Sequence, residues 1–172
     1  TADDFVFGAE WILTPANESD NVDTLANVIV NAKEYFDGTV TDFAEVGVKA
    51  IDEHTLQYTL KDTCPYFLSM MTYVAFMPAN RQFVEESGEY YGTSNDTLLY
   101  NGAYYCTSWE PQNELVMERN DNYWDAENVS IKTVYGKYNA EAEALAPEMY
   151  LRGEIDEATI PVEILDSWMS DP

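Results

Sequence analysis

Between Val46 and Leu60 the apolar residues fall into step two. Val46, Val48 and Ala50 alternate with Gly47 and Lys49, and Leu56, Tyr58 and Leu60 alternate with Thr55, Gln57 and Thr59. Alternation sends successive side chains to opposite faces of a strand, so each run offers one face to a core. Only a short link around Asp52-Glu53-His54 separates them. A parallel partner would need a crossover of a dozen residues or more, so the two runs predict an antiparallel hairpin. An all-helical fold is excluded.

The flanking segments keep helical spacing. Thr1 offers a capping oxygen, Asp3 and Asp4 sit where a helix N-terminus favours negative charge, and Phe5, Val6, Ala9 and Ile12 form a stripe. After the polar connector from Pro15 to Asp23, residues Leu25, Val28, Ile29, Ala32 and Phe36 predict a second helix over about 24–36, stopped by Gly38. Further helices are expected from Pro65 to Met71 and from Pro78 to Glu86. Gly102–Trp109 and Glu114–Arg119 read as a second hairpin turning at Pro111-Gln112-Asn113. A strand around Ile131–Tyr138, a helix over Ala140–Leu151, a break at Gly153, a short strand over Ile155–Thr159 and a helix over Val162–Trp168 complete the reading. Hairpins among helices, without a βαβ repeat, give a mixed α/β (α+β) class.

Charge narrows the function. The 172 residues hold 32 acidic against 8 basic side chains, a net charge of −24. Nucleic acids and anionic lipid surfaces bind proteins largely through clustered Lys and Arg, so neither is an expected partner. With 46% hydrophobic residues and 13 Tyr, the chain still has the means to bury a core. No apolar run approaches the roughly 20 residues that span a bilayer.

No catalytic constellation stands out. There is no G-x-S-x-G, the Gly residues are scattered rather than gathered into a phosphate loop, and the single His54 falls in a hairpin turn. Asp121, Tyr123 and Asp125 lack the spacing of a calcium loop. Carboxylates are plentiful enough for a carbohydrate-active enzyme working with two of them, although nothing marks which two. Tyr90-Tyr91, Tyr100-Asn101, Tyr104-Tyr105, Trp109 and Tyr123-Trp124 are candidates to line a ligand groove or simply to cover a sheet. Cys64 and Cys106 have no CxxC context, and each reads either as a small buried side chain or as half of a disulfide.

The order of short strings carries more. Thr1-Ala2-Asp3-Asp4-Phe5-Val6-Phe7 is followed by Asn31-Ala32-Lys33-Glu34-Tyr35, Val46-Gly47-Val48-Lys49-Ala50, Pro65-Tyr66-Phe67-Leu68 and Tyr91-Gly92-Thr93-Ser94. Then come Tyr100-Asn101-Gly102-Ala103-Tyr104, Trp109-Glu110-Pro111, Glu118-Arg119-Asn120, Tyr123-Trp124-Asp125 and Gly153-Glu154-Ile155-Asp156. In this order and at these separations they resemble the family 5 extracellular solute-binding proteins, the oligopeptide-binding components of ABC importers.

That resemblance implies a periplasmic-binding-protein-like lobe of type II, a mixed sheet flanked by helices, in a two-lobed protein that closes on a peptide. Residues 1–40 would be the tail of a small extra domain and 41–172 most of the first lobe, the second lobe and the true N-terminus lying elsewhere. It implies a non-enzymatic binding component without cofactor or metal. That component would be an extracytoplasmic monomer, a cell-surface lipoprotein or periplasmic protein that delivers its ligand to ABC permease subunits. Ala158, Thr159 and Ile160 match positions that contact ligand in relatives; their small or apolar side chains leave backbone groups as the main peptide partners. Glu143 matches a carboxylate that can meet a ligand side chain, and otherwise reads as an exposed helix acid. Trp109, Tyr123 and Trp124 match aromatics that shape the fold. Relatives usually carry Pro-Thr-Pro-Tyr where this chain has Asp62-Thr63-Cys64-Pro65-Tyr66, and an extracytoplasmic site would permit a Cys64–Cys106 bridge if the Cα atoms lie within about 7 Å. The alternatives are the same fold binding another solute such as an oligosaccharide, the carbohydrate-active enzyme, and a surface module without a small ligand.

Overall fold

A cap at Thr1 starts the first helix, α1 (Ala2–Leu13). The Asp4 carboxylate accepts hydrogen bonds from the Thr1 hydroxyl at 2.8 Å and the Thr1 amine at 2.7 Å, and α1 buries Phe7, Ala9, Ile12 and Leu13. The computed structural model describes residues 1–170, except the side chain of Glu143. These residues form two compact units, Thr1–Tyr91 and the chain from Gly92 onward.

In the first unit the expected hairpin is present as β1 (Val48–Asp52) and β2 (Thr55–Tyr58), antiparallel, with Val48 opposite Tyr58 and Ala50 opposite Leu56. The Asp52 carboxylate accepts from the His54 N–H at 2.9 Å and closes the turn. The single helix expected over 24–36 is instead two, α2 (Val22–Ala26) and α3 (Ala32–Phe36). Between them the chain leaves helical geometry, Asn31 taking a left-handed φ of 58°, and joins the hairpin. Val30 N–H donates to Thr59 C=O at 3.0 Å, Gly47 N–H to Val30 C=O at 2.9 Å, Thr59 N–H to Gly47 C=O at 2.7 Å and Lys61 N–H to Val28 C=O at 2.9 Å. Ile29 pairs with Leu60 across this junction and is fully buried. Backbone bonds to the hairpin win over continued helix because they satisfy polar groups that surround a buried side chain.

Leu13, Leu25, Ile29, Val46 and Val48 form the solvent-free centre of the first unit. The short helix α4 (Phe67–Met70) and the turn Val74–Phe76 bring Phe67 and Phe76 against Tyr58, the three rings meeting edge to face at 5.4–5.8 Å. Asn80 caps α5 (Arg81–Ser87) by accepting from Phe83 N–H at 2.9 Å. Arg81 then lies 4.3 Å over the Phe7 ring and 2.6 Å from the Glu10 carboxylate, tying α5 to α1.

Burial pushes the Tyr58 phenol up to about 12, because the phenolate would lose hydration there. A tyrosine in the unfolded chain ionises near pH 10, so the unfolded state loses its proton first. The stability this residue confers is therefore complete below about pH 10 and is lost as pH rises towards the folded value. A phenolate absorbance titration should lose its latest step in Tyr58→Phe; a titration curve that Tyr58→Phe leaves unchanged at its alkaline end would contradict its burial.

The second unit is a meander of β3 (Tyr104–Glu110), β4 (Glu114–Arg119) and β5 (Thr133–Lys137), ordered β3-β4-β5 and antiparallel throughout. Gln112 turns the β3–β4 hairpin at a φ of 60°. Helices α6 (Ala142–Leu151) and α7 (Val162–Ser170) follow, with the Tyr150 and Trp168 rings 6.4 Å apart. The strand expected over Ile155–Thr159 is absent: this segment pairs with no other strand among the described residues. Apolar burial differs between the units. Every buried hydrophobic side chain other than proline lies between Ala2 and Val84, and Pro147 is the one buried residue described in the second unit.

Candidate functional site

The chemistry of the segment after α6 starts with its cap. Gly153, at a φ of 69°, donates its N–H to Tyr150 C=O at 2.9 Å, and Glu154 N–H reaches Met149 C=O at 2.9 Å. This paired closure needs a left-handed residue that glycine supplies without strain. Arg152 locks the exit by holding both Glu154 oxygens, Nε to Oε1 at 2.7 Å and a terminal guanidinium nitrogen to Oε2 at 3.3 Å. That pair holds Glu154 below the usual carboxylate range, chiefly through the Arg152 hydrogen bond.

From Ile155 to Ile160 the chain then runs without regular structure to Pro161, whose carbonyl accepts from Ile164 N–H at 3.2 Å. Ala158 and Ile160 are half-buried and Thr159 is exposed. Among the described residues no hydrogen bond reaches the backbone of 155–160. A run of free N–H and C=O groups beside small side chains can accept an extended chain as a strand. Glu143 falls on α6, in the same stretch of chain, and its side chain lies outside the described residues.

The other candidates separate. Tyr91 packs on Trp11 at 6.0 Å in the first unit. In the second unit, Tyr100 and Tyr105 share an open depression of about 470 Å³ with Leu98, Arg119, Asn120 and Asp121. Its polar groups are largely engaged: the Tyr100 hydroxyl donates to Asn95 C=O at 3.1 Å, Tyr105 to Glu118 at 3.3 Å, and Arg119 Nε to Asp121 at 2.9 Å. The Glu118 charge pushes the Tyr105 phenol upward. Sequence reading singled out the two tyrosines and missed Arg119 and Asn120; the hint available was their place at the end of an alternating run, where a strand exits.

Trp124, expected to shape the fold, is 84% exposed, with only one edge of its environment formed by Tyr123 at 5.6 Å between ring centres. Trp109 is 40% exposed. An indole helps a fold only when another surface covers it, and the described residues do not cover Trp124. His54 stands exposed in its turn, 4.0 Å from Glu53. Cys64 belongs to the first unit and Cys106 to the second, each a half-buried free thiol. Cys64 Sγ is 4.0 Å from Met70 Sδ, and Cys106 Sγ donates to Ser108 C=O at 3.3 Å. Asp121 and Asp125 are held by Arg119 and Asn128. Among the described residues no group of three or more His, Cys, Asp or Glu could hold a metal ion, and no helix is long and apolar enough to cross a membrane.

Comparison with known proteins supplies what a shallow surface cannot. Residues 1–171 match Bacterial extracellular solute-binding proteins, family 5 Middle. The oligopeptide-binding protein AmiA of Streptococcus pneumoniae is 36% identical over 136 residues, 78% of this chain and 20% of that protein. The periplasmic oligopeptide-binding protein OppA of Salmonella typhimurium is 30% identical over 168 residues, 95% of this chain and 30% of that protein. Among solved structures, a periplasmic oligopeptide-binding protein of Borrelia burgdorferi superposes with a TM-score of 0.83 at 30% identity, over 99% of this chain and 34% of that one. OppA of Listeria monocytogenes bound to peptide gives 0.82 at 25%, over 99% and 33%. The chain thus spans a fifth to a third of the length of these relatives, and its mixed helix-and-sheet fold is that of part of an OppA-like periplasmic binding protein. Matched along almost its entire length, the chain belongs to the bacterial extracellular solute-binding proteins of family 5.

Proposed function

We propose that the chain is part of the oligopeptide-binding component of an ABC importer, which holds peptide without turning it over and hands it to permease subunits in the membrane. The observation that carries this reading is the free backbone of 155–160, set between the locked C-terminus of α6 and the start of α7. Main-chain pairing with such a segment tolerates many peptide sequences, and Ala158, Thr159 and Ile160 present little that would select among them. Glu143 is a further contact, for a ligand side chain. The names of the relatives and the family description support a peptide ligand and an extracytoplasmic setting; the reading makes the protein a cell-surface lipoprotein or a periplasmic protein. In this reading residues 1–40 belong to a small extra domain, 41–172 to the first of two lobes, and the whole is a monomer.

Titration calorimetry on the longer protein carrying this segment, with a pool of short peptides and a control pool of oligosaccharides, is the direct test. Heat with peptides and none with sugars is expected. Thr159→Pro, which deletes one backbone donor, should weaken peptide binding about 10-fold, in line with the roughly 1–3 kcal/mol cost of a lost or unsatisfied hydrogen bond. Sugar binding alone would overturn the ligand, and unchanged affinity in Thr159→Pro would remove this segment from the site.

A further inference from the structure

Sulfur is unevenly placed in this chain. Four of its eight sulfur-bearing side chains, Cys64, Met70, Met71 and Met77, lie within 64–77, and residues 63–79 contain none of its Asp, Glu, Lys or Arg. Pro65 and the turn into α4 fold Cys64 back over the helix, Phe67 N–H donating to Cys64 C=O at 3.1 Å. The result sets Cys64 Sγ 4.0 Å from Met70 Sδ, both half-buried, with Met70 and Met71 packed against the core.

We propose that Cys64 and Met70 form a two-sulfur site for a soft monovalent cation, Cu(I). A thiolate and a thioether without carboxylate or imidazole form a soft donor set that favours such an ion over magnesium or calcium. With metal–sulfur bonds of about 2.3 Å, sulfurs 4.0 Å apart subtend about 120° at the ion. That angle is trigonal and leaves one position open to an external donor. Binding breaks the Cys64 S–H bond and releases one proton, and the ion forms two Cu–S bonds, one to the Cys64 thiolate and one to a lone pair of the Met70 thioether; no electron changes hands. Met70 and Phe67 pack against the same core, where the Phe67 ring meets Tyr58.

The reduced chain would be titrated with Ag(I), a redox-inert probe, and with Cu(I) delivered from a chromophoric chelator. One ion bound and one proton released per chain are expected. Cys64→Ser should weaken binding by more than about 100-fold, beyond the 10–100-fold typical for loss of an outer-shell partner, while Cys106→Ser changes nothing. Met70→Leu keeps the side-chain volume, and its melting curve checks that the fold is retained; it should weaken binding at least about 10-fold at unchanged stability. X-ray absorption on the Cu(I)-loaded chain should show two sulfur neighbours. Affinity unaffected by Cys64→Ser or by Met70→Leu, binding lost in Cys106→Ser, or a shell of oxygen and nitrogen would each overturn the site.

Discussion

Gly47→Val is expected to lower the melting midpoint of the chain by about 10 °C. A Cβ at this position would stand 2.4 Å from Thr59 O, 3.1 Å from Thr59 Cβ and 3.2 Å from Ile29 Cγ2. The closest of these is a backbone oxygen, and it cannot withdraw freely: Thr59 N–H is bonded to Gly47 C=O, and Thr59 C=O takes the Val30 N–H. Relief must come from opening the junction or displacing fully buried Ile29. Overpacking of this kind costs about 3 kcal/mol, and for a chain of this size each kcal/mol shifts the midpoint by about 2–4 °C. Gly102→Ala is the matched control, since a Cβ there meets nothing within 4 Å and should leave melting unchanged. Calorimetry or circular dichroism reads both. A Gly47→Val chain that melts with the parent would mean the three-way junction is not part of the folded state.

Amide hydrogen exchange should divide the chain at Tyr91, with bonded amides of the first unit exchanging slower than those of the second by on the order of 100-fold. The first unit holds the buried aliphatic and aromatic side chains, whereas the sheet of the second rests on half-exposed ones. Two fully buried apolar side chains contribute about 3 kcal/mol, and a gap of that size between local opening free energies gives two decades in exchange. The comparison is between Thr59 and Val30 N–H in the first unit and Arg119 and Tyr138 N–H in the second, all of them hydrogen-bonded. Equal protection would show that the second unit is stabilised by something other than its own apolar burial.

Both hairpins were legible from alternation, and the first helix from its cap, because those signals are local: the Asp52 turn and the Thr1–Asp4 pair need no distant residue to make sense. The break between α2 and α3 was not. Leu25, Val28, Ile29 and Ala32 have a spacing that suits one helix, and only the approach of Gly47 and Thr59 offers Val30 a better set of partners. Ile155–Thr159 fails for the converse reason, since a strand is a relation to a neighbour and the described residues supply none. The proposed contacts Ala158, Thr159 and Ile160 came from likeness to a family rather than from spacing; no periodicity marks them. Cys64 was visible as a residue, but its companion Met70 lies six positions on and comes close only because Pro65 and α4 turn the chain back.

The cross-tie at Val28–Val30 also orders assembly in time. β1 and β2 meet across a turn of a few residues, whereas Ile29 must find Leu60 across about three more doublings of loop length, an added closure cost of about 2 kcal/mol. Helix α1 is captured later still in this sequence of closures, through Ala2 N–H on Glu53 C=O and Ala79 N–H on Asp4 C=O, contacts that span most of the first unit. Folding therefore runs outward from the middle of the unit, and α1 is the element fastened last.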